Sequence, residues 1–287
     1  MAEETLTRSV APARAPRRSE GRLGQRLLSL NALSAYLFLY APIAILVIYS
    51  FSNSSLSGTW GGFTLDWYAR LFSNERLLDA LRNSLRVATA SMLISTVLGT
   101  LVALGLERFR FRGRTTLDAA LYLPIVIPDI IMAIMLLLFF ATTLRWAGDL
   151  LGMRLQNSLV TVIISHVAFN ISFVAVVVRA SLRGFDWRLE EAAADLGANG
   201  WQTFWRITFP LILPGILGGA LMAFTLSLDD YVITFFTKGS RDSTLTIEVF
   251  NRIRRGVSPE INALSTLMLL ASVALVALSQ ILQRRRG

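Results

Sequence analysis

Four acidic residues lie within or beside stretches otherwise apolar enough for lipid. They are Asp129 in "LPIVIPDIIMAI", the pair Asp229 and Asp230 in "SLDDYVITFF", and Glu260 in "SPEIN". A carboxylate at the bilayer centre costs on the order of 2.5–3.5 kcal/mol, so such groups face a cavity, a partner or a passing cation. Neighbours on a helix point about 100° apart, because 3.6 residues make a turn. Asp229 and Asp230 therefore cannot face one direction: one can line a path while the other holds a helix or subunit contact. Tyr231 and Phe235, one turn apart beside Asp230, offer π faces to a cation. Asp129 follows Pro128, which leaves a carbonyl one turn earlier without its helical donor. Non-helical backbone at membrane depth is tolerated where it lines a cavity. The alternative roles for each acid are capping, inter-subunit salt bridging and solvation near the surface.

The same acids with His166, the sole histidine, could also serve an intramembrane enzyme or an ion channel. The chain speaks against both, because no second histidine, cysteine or selectivity-filter run accompanies them. Without cysteine there is no disulfide, thiolate nucleophile or thiolate metal site. One histidine is too few for zinc-protease spacing, and no metal site is expected. The only lysine, Lys238, precedes Gly239, so the chain has no GxxxxGK[ST] phosphate loop. His166 falls inside an apolar run and is expected to hydrogen-bond across a helix interface, with Asn170 one turn on as a candidate partner.

The elements that position these residues are apolar runs. The chain has 287 residues, 54% hydrophobic and 16% charged, where a soluble domain carries about a quarter charged. Crossing about 30 Å of hydrocarbon takes about 20 residues. Six runs qualify, at 32–51, 84–106, 117–141, 158–179, 211–236 and 263–282. The fold class expected is an all-α integral membrane protein with six transmembrane helices. The first run is too long for a signal peptide and lacks a small-x-small cleavage site, so it reads as a retained span.

The net charge of +9 comes from arginine. No interleaved aromatic and basic face marks a nucleic-acid platform, so nucleic acid is not an expected partner. Arginine near span ends holds loops in the cytoplasm instead. Arg8, Arg14, Arg17, Arg18, Arg22 and Arg26 precede the first span; Arg108, Arg110, Arg112 and Arg114 follow the second; Arg179, Arg183, Arg188 and Arg206 follow the fourth. With Arg284, Arg285 and Arg286 at the end, this bias predicts both termini in the cytoplasm of a multi-pass protein.

One loop breaks the pattern. Residues 237–262 carry Lys238, Arg241, Arg252, Arg254 and Arg255 on the expected outer face. The basic arm at 1–27 is rich in Arg, Pro and Ala and is expected to be disordered or to lie on lipid headgroups. The remainder, 28–287, reads as one transmembrane domain. In the 52–83 loop, Leu71, Phe72, Leu78 and Leu81 recur at helical spacing and predict an amphipathic helix on the outer surface.

Between the fourth and fifth runs lies a polar hairpin, "GFDWRLEEAAADLGANGWQTFWRITFP". Asp186 is expected to cap a short helix over 187–196, and Gly197 suits the left-handed residue that ends it. Asn199 with Gln202 resembles a capping box for a second helix. Trp201, Phe204 and Trp205 share one side of that helix, which Pro210 and Pro214 are expected to end. Alanines at 192–194 let another surface approach, while Glu190, Glu191 and Asp195 form an acidic face. A helix lying on the inner leaflet would favour Lys or Arg there, so the acids point to a protein partner.

"EAAADLG" at 191–197, followed after nine residues by "ITFP" at 207–210, resembles the EAA loop of ABC-importer permeases. The family pattern has Leu where Phe209 stands. "YARLFSNERLLDALRNSLRVA", "ERFRFRGR", "SLDDYVITFF" and "GVSPEINALSTL" are similar to the PotC-type spermidine/putrescine permeases, over about residues 30–282. The resemblance implies a type I (MetI-like) permease fold in the bacterial inner membrane. It implies that the loop at about 183–210 is a coupling helix seated on a separate ATPase subunit. Its contacts would be Glu190, Glu191, Ala192, Ala193, Asp195, Gly197, Trp201, Phe204, Ile207 and Pro210.

The implied partners are a second permease subunit of PotB type, two ATPase subunits carrying ATP and Mg, membrane lipid and an extracytoplasmic polyamine-binding protein. The chain itself would bind no cofactor and catalyse no reaction. Substrate would pass Asp229, Asp230, Tyr231, Asp129 and Glu260, and the binding protein would dock on Arg252, Arg254 and Arg255. Another cationic or small organic solute remains open as the cargo.

Overall fold

The computed structural model describes residues 22–54, 58–255 and 259–284, with side chains for 24–54, 58–254 and 259–273. The first helix, α1 (Arg22–Tyr49), starts inside the expected arm, so 22–27 is helical; residues 1–21 lie outside the described set. A short α2 (Asp66–Ser73) leads into α3 (Glu75–Arg108). The sequence predicted a surface helix and a separate second span. Instead the Asn74 side chain accepts the Leu77 N–H at 3.2 Å and starts one 34-residue helix, about 51 Å long at 1.5 Å per residue. Leu71 and Leu77 bury together against Leu245 and Ala263, while Phe72 and Leu81 stay exposed.

The expected third run, 117–141, is two helices, α4 (Arg114–Val126) and α5 (Asp129–Leu151). Pro128 disfavours helical backbone at Ile127, whose ψ is 131°. The crossing is α5, and Asp129 is its first residue rather than a mid-span residue. Ser158 and Thr161 form a capping box that opens α6 (Leu159–Arg183).

After α6 come α7 (Arg188–Asp195), α8 (Gly200–Thr203), a π-helical turn at Phe204–Thr208 and α9 (Phe209–Asp229). Pro210 and Pro214 do not end the second hairpin helix, contrary to expectation. The path from Gly200 to Asp229 is one apolar helix. Pro210 has no N–H to donate, and just before it the ladder slips, so that the Phe209 N–H reaches the Phe204 carbonyl. The expected fifth run, 211–236, also breaks: α9 stops at Asp229 and α10 (Val232–Thr237) resumes. An outer amphipathic α11 (Leu245–Arg255) precedes α12 (Pro259–Arg284).

Five helices among the described residues have the length and apolarity to cross a membrane: α1, α3, α5, α6 and the helix ending as α9. The sixth is α12, with 26 residues and an apolar described part at Pro259–Val273. The core lies where α3, α6 and α9 cross, around Ala103, Val174, Val178 and Ile212. Glycine sets that approach. A Cβ at Gly99 would sit 2.8 Å from Val174 Cβ, and one at Gly219 3.3 Å from Val174 Cα. Close small-residue packing is what holds helices together where lipid offers no hydrophobic gain.

Gly99→Ala is accordingly expected to destabilise the fold by about 1–3 kcal/mol through overpacking. Adding Val174→Ala should recover part of the loss. Thermal unfolding of the detergent-solubilised protein checks both; equal midpoints for the parent and Gly99→Ala would refute the close crossing.

Candidate functional site

The polar hairpin sits at one end of the α3–α6–α9 core. Asp186 Oδ1 accepts the Arg188 N–H at 3.1 Å, so the expected acid starts α7. Gly197 has φ +83°, and Asn199 with Gln202 closes its capping box at 2.9 and 3.0 Å. Of the acidic face, Glu191 and Asp195 point outward. Glu190 turns inward, accepting from Arg108 of α3 and from Thr208 in the π-helical turn.

Ala193 is buried and Ala192 exposed. Leu196, Trp201 and Trp205 stand out at 91, 72 and 46% exposure, an apolar knob on an otherwise polar turn. Trp205 packs at 5.6 Å on Trp201, and closes on Phe204 and Phe209. Ile207 is half-buried and Pro210 exposed.

At the other end, the α9–α10 break separates the acid pair. Asp230 is extended (ψ 130°), and its carboxylate caps α10. Oδ1 accepts the Ile233 N–H at 3.2 Å, and Oδ2 accepts the Thr234 N–H and hydroxyl, each at 2.8 Å. The Thr246 hydroxyl donates to the freed Asp230 carbonyl at 2.8 Å. His166 is fully buried; its Nε2 lies 3.0 Å from Thr234 Oγ1 and 3.3 Å from Asp230 Oδ2. Since the Thr234 proton already goes to Asp230, His166 Nε2 must carry a hydrogen.

The histidine does bridge helices, but to Thr234 and Asp230 rather than to Asn170. Asn170 donates to Ser227 at 2.7 Å, and Ser227 meets Ser91 at 2.9 Å, so α3, α6 and α9 share one polar ladder.

Asp229 ends α9 and is exposed, and its side chain makes no hydrogen bond or ion pair among the described residues. Beside it, Tyr231 stacks with Phe235 at 5.6 Å and closes on Phe250 at 4.3 Å. Arg254 already lies 5.0 Å over Phe250. Arg252 pairs with Glu260 at 2.6 Å, which joins one residue expected on the substrate path to one expected to dock a partner. The Arg255 side chain lies outside the described residues. Asp129 is exposed at the start of α5, one turn before Ala133, which packs with Ile233 of α10.

Residues 95–285 match the family described as binding-protein-dependent transport system inner membrane component. The chain belongs to this family. It is 39% identical to the Escherichia coli K12 spermidine/putrescine transport system permease protein PotC over 87% of its own length and 90% of that protein's. It is 42% identical to the E. coli K12 putrescine transport system permease protein PotI, covering 83% of each. A bacterial ABC transporter involved in the import of the acidic polysaccharide alginate has the same fold, with TM-score 0.73 at 21% identity over 91% of this chain and 95% of that one. As an inner membrane transport component, the chain is a multi-pass membrane protein.

Sequence reasoning missed several residues of this transport component. In the sequence Arg108 and Arg179 read only as orienting charge. Arg179, 6% exposed, instead pairs with Glu107 at 2.8 Å and with Asp118. The available signal was Glu107 itself, an acid interrupting an arginine cluster at a span end. Glu248, 1% exposed and paired with Arg76 at 3.2 Å, gave no signal in a loop read as basic.

Proposed function

We propose that the chain is a non-catalytic permease subunit of an ATP-driven importer for spermidine, putrescine or a close polyamine. The hairpin end faces the cytoplasm, as the arginine bias favours, and both termini lie there with it. The observation that carries this reading is the outward knob of Leu196, Trp201 and Trp205, on a turn rooted in the spans through Glu190. Exposed apolar patches mark protein or membrane contact sites, and the outward acids Glu191 and Asp195 beside this one favour a protein over a lipid surface. An ATPase subunit supplies the groove, with its ATP and Mg, and a second permease subunit of PotB type closes the path.

The α9–α10 break supplies the substrate site. Discontinuous helices line solute sites in other transporters, and here the break leaves the exposed Asp229 carboxylate two residues before Tyr231, whose ring stacks on Phe235. A slim polycation pairs with the carboxylate and stacks on the rings. An extracytoplasmic polyamine-binding protein delivers it to the face formed by α11.

Proteoliposomes holding this chain, its partner permease and the ATPase subunits, with binding protein inside or outside, test the proposal. ATP-dependent movement of labelled spermidine or putrescine is expected, with no competition from sugars or neutral amino acids. Uptake of sugar in place of polyamine would overturn the substrate. Uptake without any ATPase subunit would overturn the mechanism.

A further inference from the structure

The last two residues of α3 reach different helices. Glu107 Oε1 accepts from Arg179 Nε of α6 at 2.8 Å, and Arg179 Nη1 donates to Asp118 of α4. Arg108 Nη2 donates to Glu190 Oε1 of α7, and the same oxygen accepts from Thr208 Oγ1. The Arg108 guanidinium also lies 5.6 Å over Trp187, whose ring meets Phe185 edge-on at 4.8 Å. Both aromatics pack on the core that holds Leu106, Leu182 and Ile212. Two adjacent side chains thus tie α4, α6, α7 and the turn into α9 to a single helix end.

The grip on α7 is otherwise slight. Among its described residues Ala193 alone is buried, and a methyl group resists little sideways load. The ion pair also has direction, since it lies at the start of the hairpin while the exposed knob lies at its far side. A force on Leu196 and Trp201 therefore has its polar anchor at Glu190.

We propose that Glu107 and Arg108 form the joint through which hairpin displacement reaches the spans, Arg108 receiving it from Glu190 and Glu107 passing it to Arg179. They are positioning residues, and the role rests on the coupling function proposed above. Without the joint the hairpin still engages its partner but keeps only the apolar packing of Phe185, Trp187 and Ala193, and nucleotide turnover runs with less solute moved.

The readout is polyamine moved per ATP hydrolysed in proteoliposomes of the complete complex, with ATPase-subunit retention measured on the same preparation. Arg108→Gln and Glu190→Gln are each expected to lower that ratio about fivefold, the scale of a residue that transmits without touching a ligand. The exchange Arg108→Glu with Glu190→Arg should regain at least half of the loss, and ATPase-subunit retention should stay parental in all three variants, which a general folding defect would not allow. A parental ratio in Arg108→Gln overturns the joint, as does a charge exchange no better than the single variants. Should Arg108→Gln fail to assemble, Thr208→Val removes one contact to Glu190 and leaves the ion pair. It is expected to lower the ratio about twofold, and an unchanged ratio again overturns the proposal. Failure of the unsubstituted chain to retain any ATPase subunit would instead remove the coupling function itself.

Discussion

Leu196→Glu combined with Trp201→Ala is expected to strip the ATPase subunit from the purified complex and abolish uptake while the membrane fold persists. Both side chains are largely open, at 91 and 72% exposure, and substitutions at such positions usually change stability by less than about 0.5 kcal/mol. Their cost falls on the docked state. Truncating a central tryptophan in an interface removes about 2–4 kcal/mol. A carboxylate forced into an apolar groove without a partner costs about 3–5 kcal/mol more. The sum corresponds to at least about a thousandfold loss of affinity. Co-purification measures that loss, and a thermal melt of the isolated chain measures the fold. An ATPase subunit held at full stoichiometry by the double variant would show that the knob is not the docking surface.

The hairpin was legible because its signals are local. A left-handed glycine, a capping box and an N-terminal aspartate each act within four residues, and Gly197, Asn199–Gln202 and Asp186 stand as expected. The six crossings were legible because hydrophobic length is a property of the run itself.

The breaks were harder to place. Pro128 lies inside one continuous apolar run, and hydrophobicity alone does not show that it splits α4 from α5 by holding Ile127 extended. Pro210 suggests a stop, yet a π-helical turn absorbs it: Pro210 has no N–H to donate, and the Phe209 N–H reaches back to the Phe204 carbonyl. The inward turn of Glu190 was invisible for a different reason. Its partner Arg108 lies 82 residues away in sequence, and the nearest base, Arg188, is two residues off and so on another face of the helix.

The acid pair at the α9–α10 break points in two directions, as neighbours on a helix must: Asp230 caps α10, while Asp229 is exposed. Asp230→Asn is expected to weaken the fold, and Asp229→Asn is expected to weaken transport. At Asp230 both oxygens accept: Oδ1 from Ile233, Oδ2 from the Thr234 N–H and hydroxyl, with His166 Nε2 at 3.3 Å. An asparagine keeps one acceptor and sets an NH2 against donors, leaving a buried donor unpaired at a cost of about 1–3 kcal/mol. The thermal midpoint should drop accordingly, and His166→Ala should compound the drop less than additively, because the two share the network.

At Asp229 no bond among the described residues is lost, so Asp229→Asn should melt like the parent. A charge-assisted hydrogen bond to an ammonium is worth about 1.5–3 kcal/mol, so uptake at low polyamine concentration should fall about 10- to 100-fold. Raising the polyamine concentration should restore much of the rate if the contact is made on the way in. It should restore little if the contact matters only during passage. Parental uptake by Asp229→Asn at every concentration would mean the solute does not run past this carboxylate, and the break would then be a packing device alone.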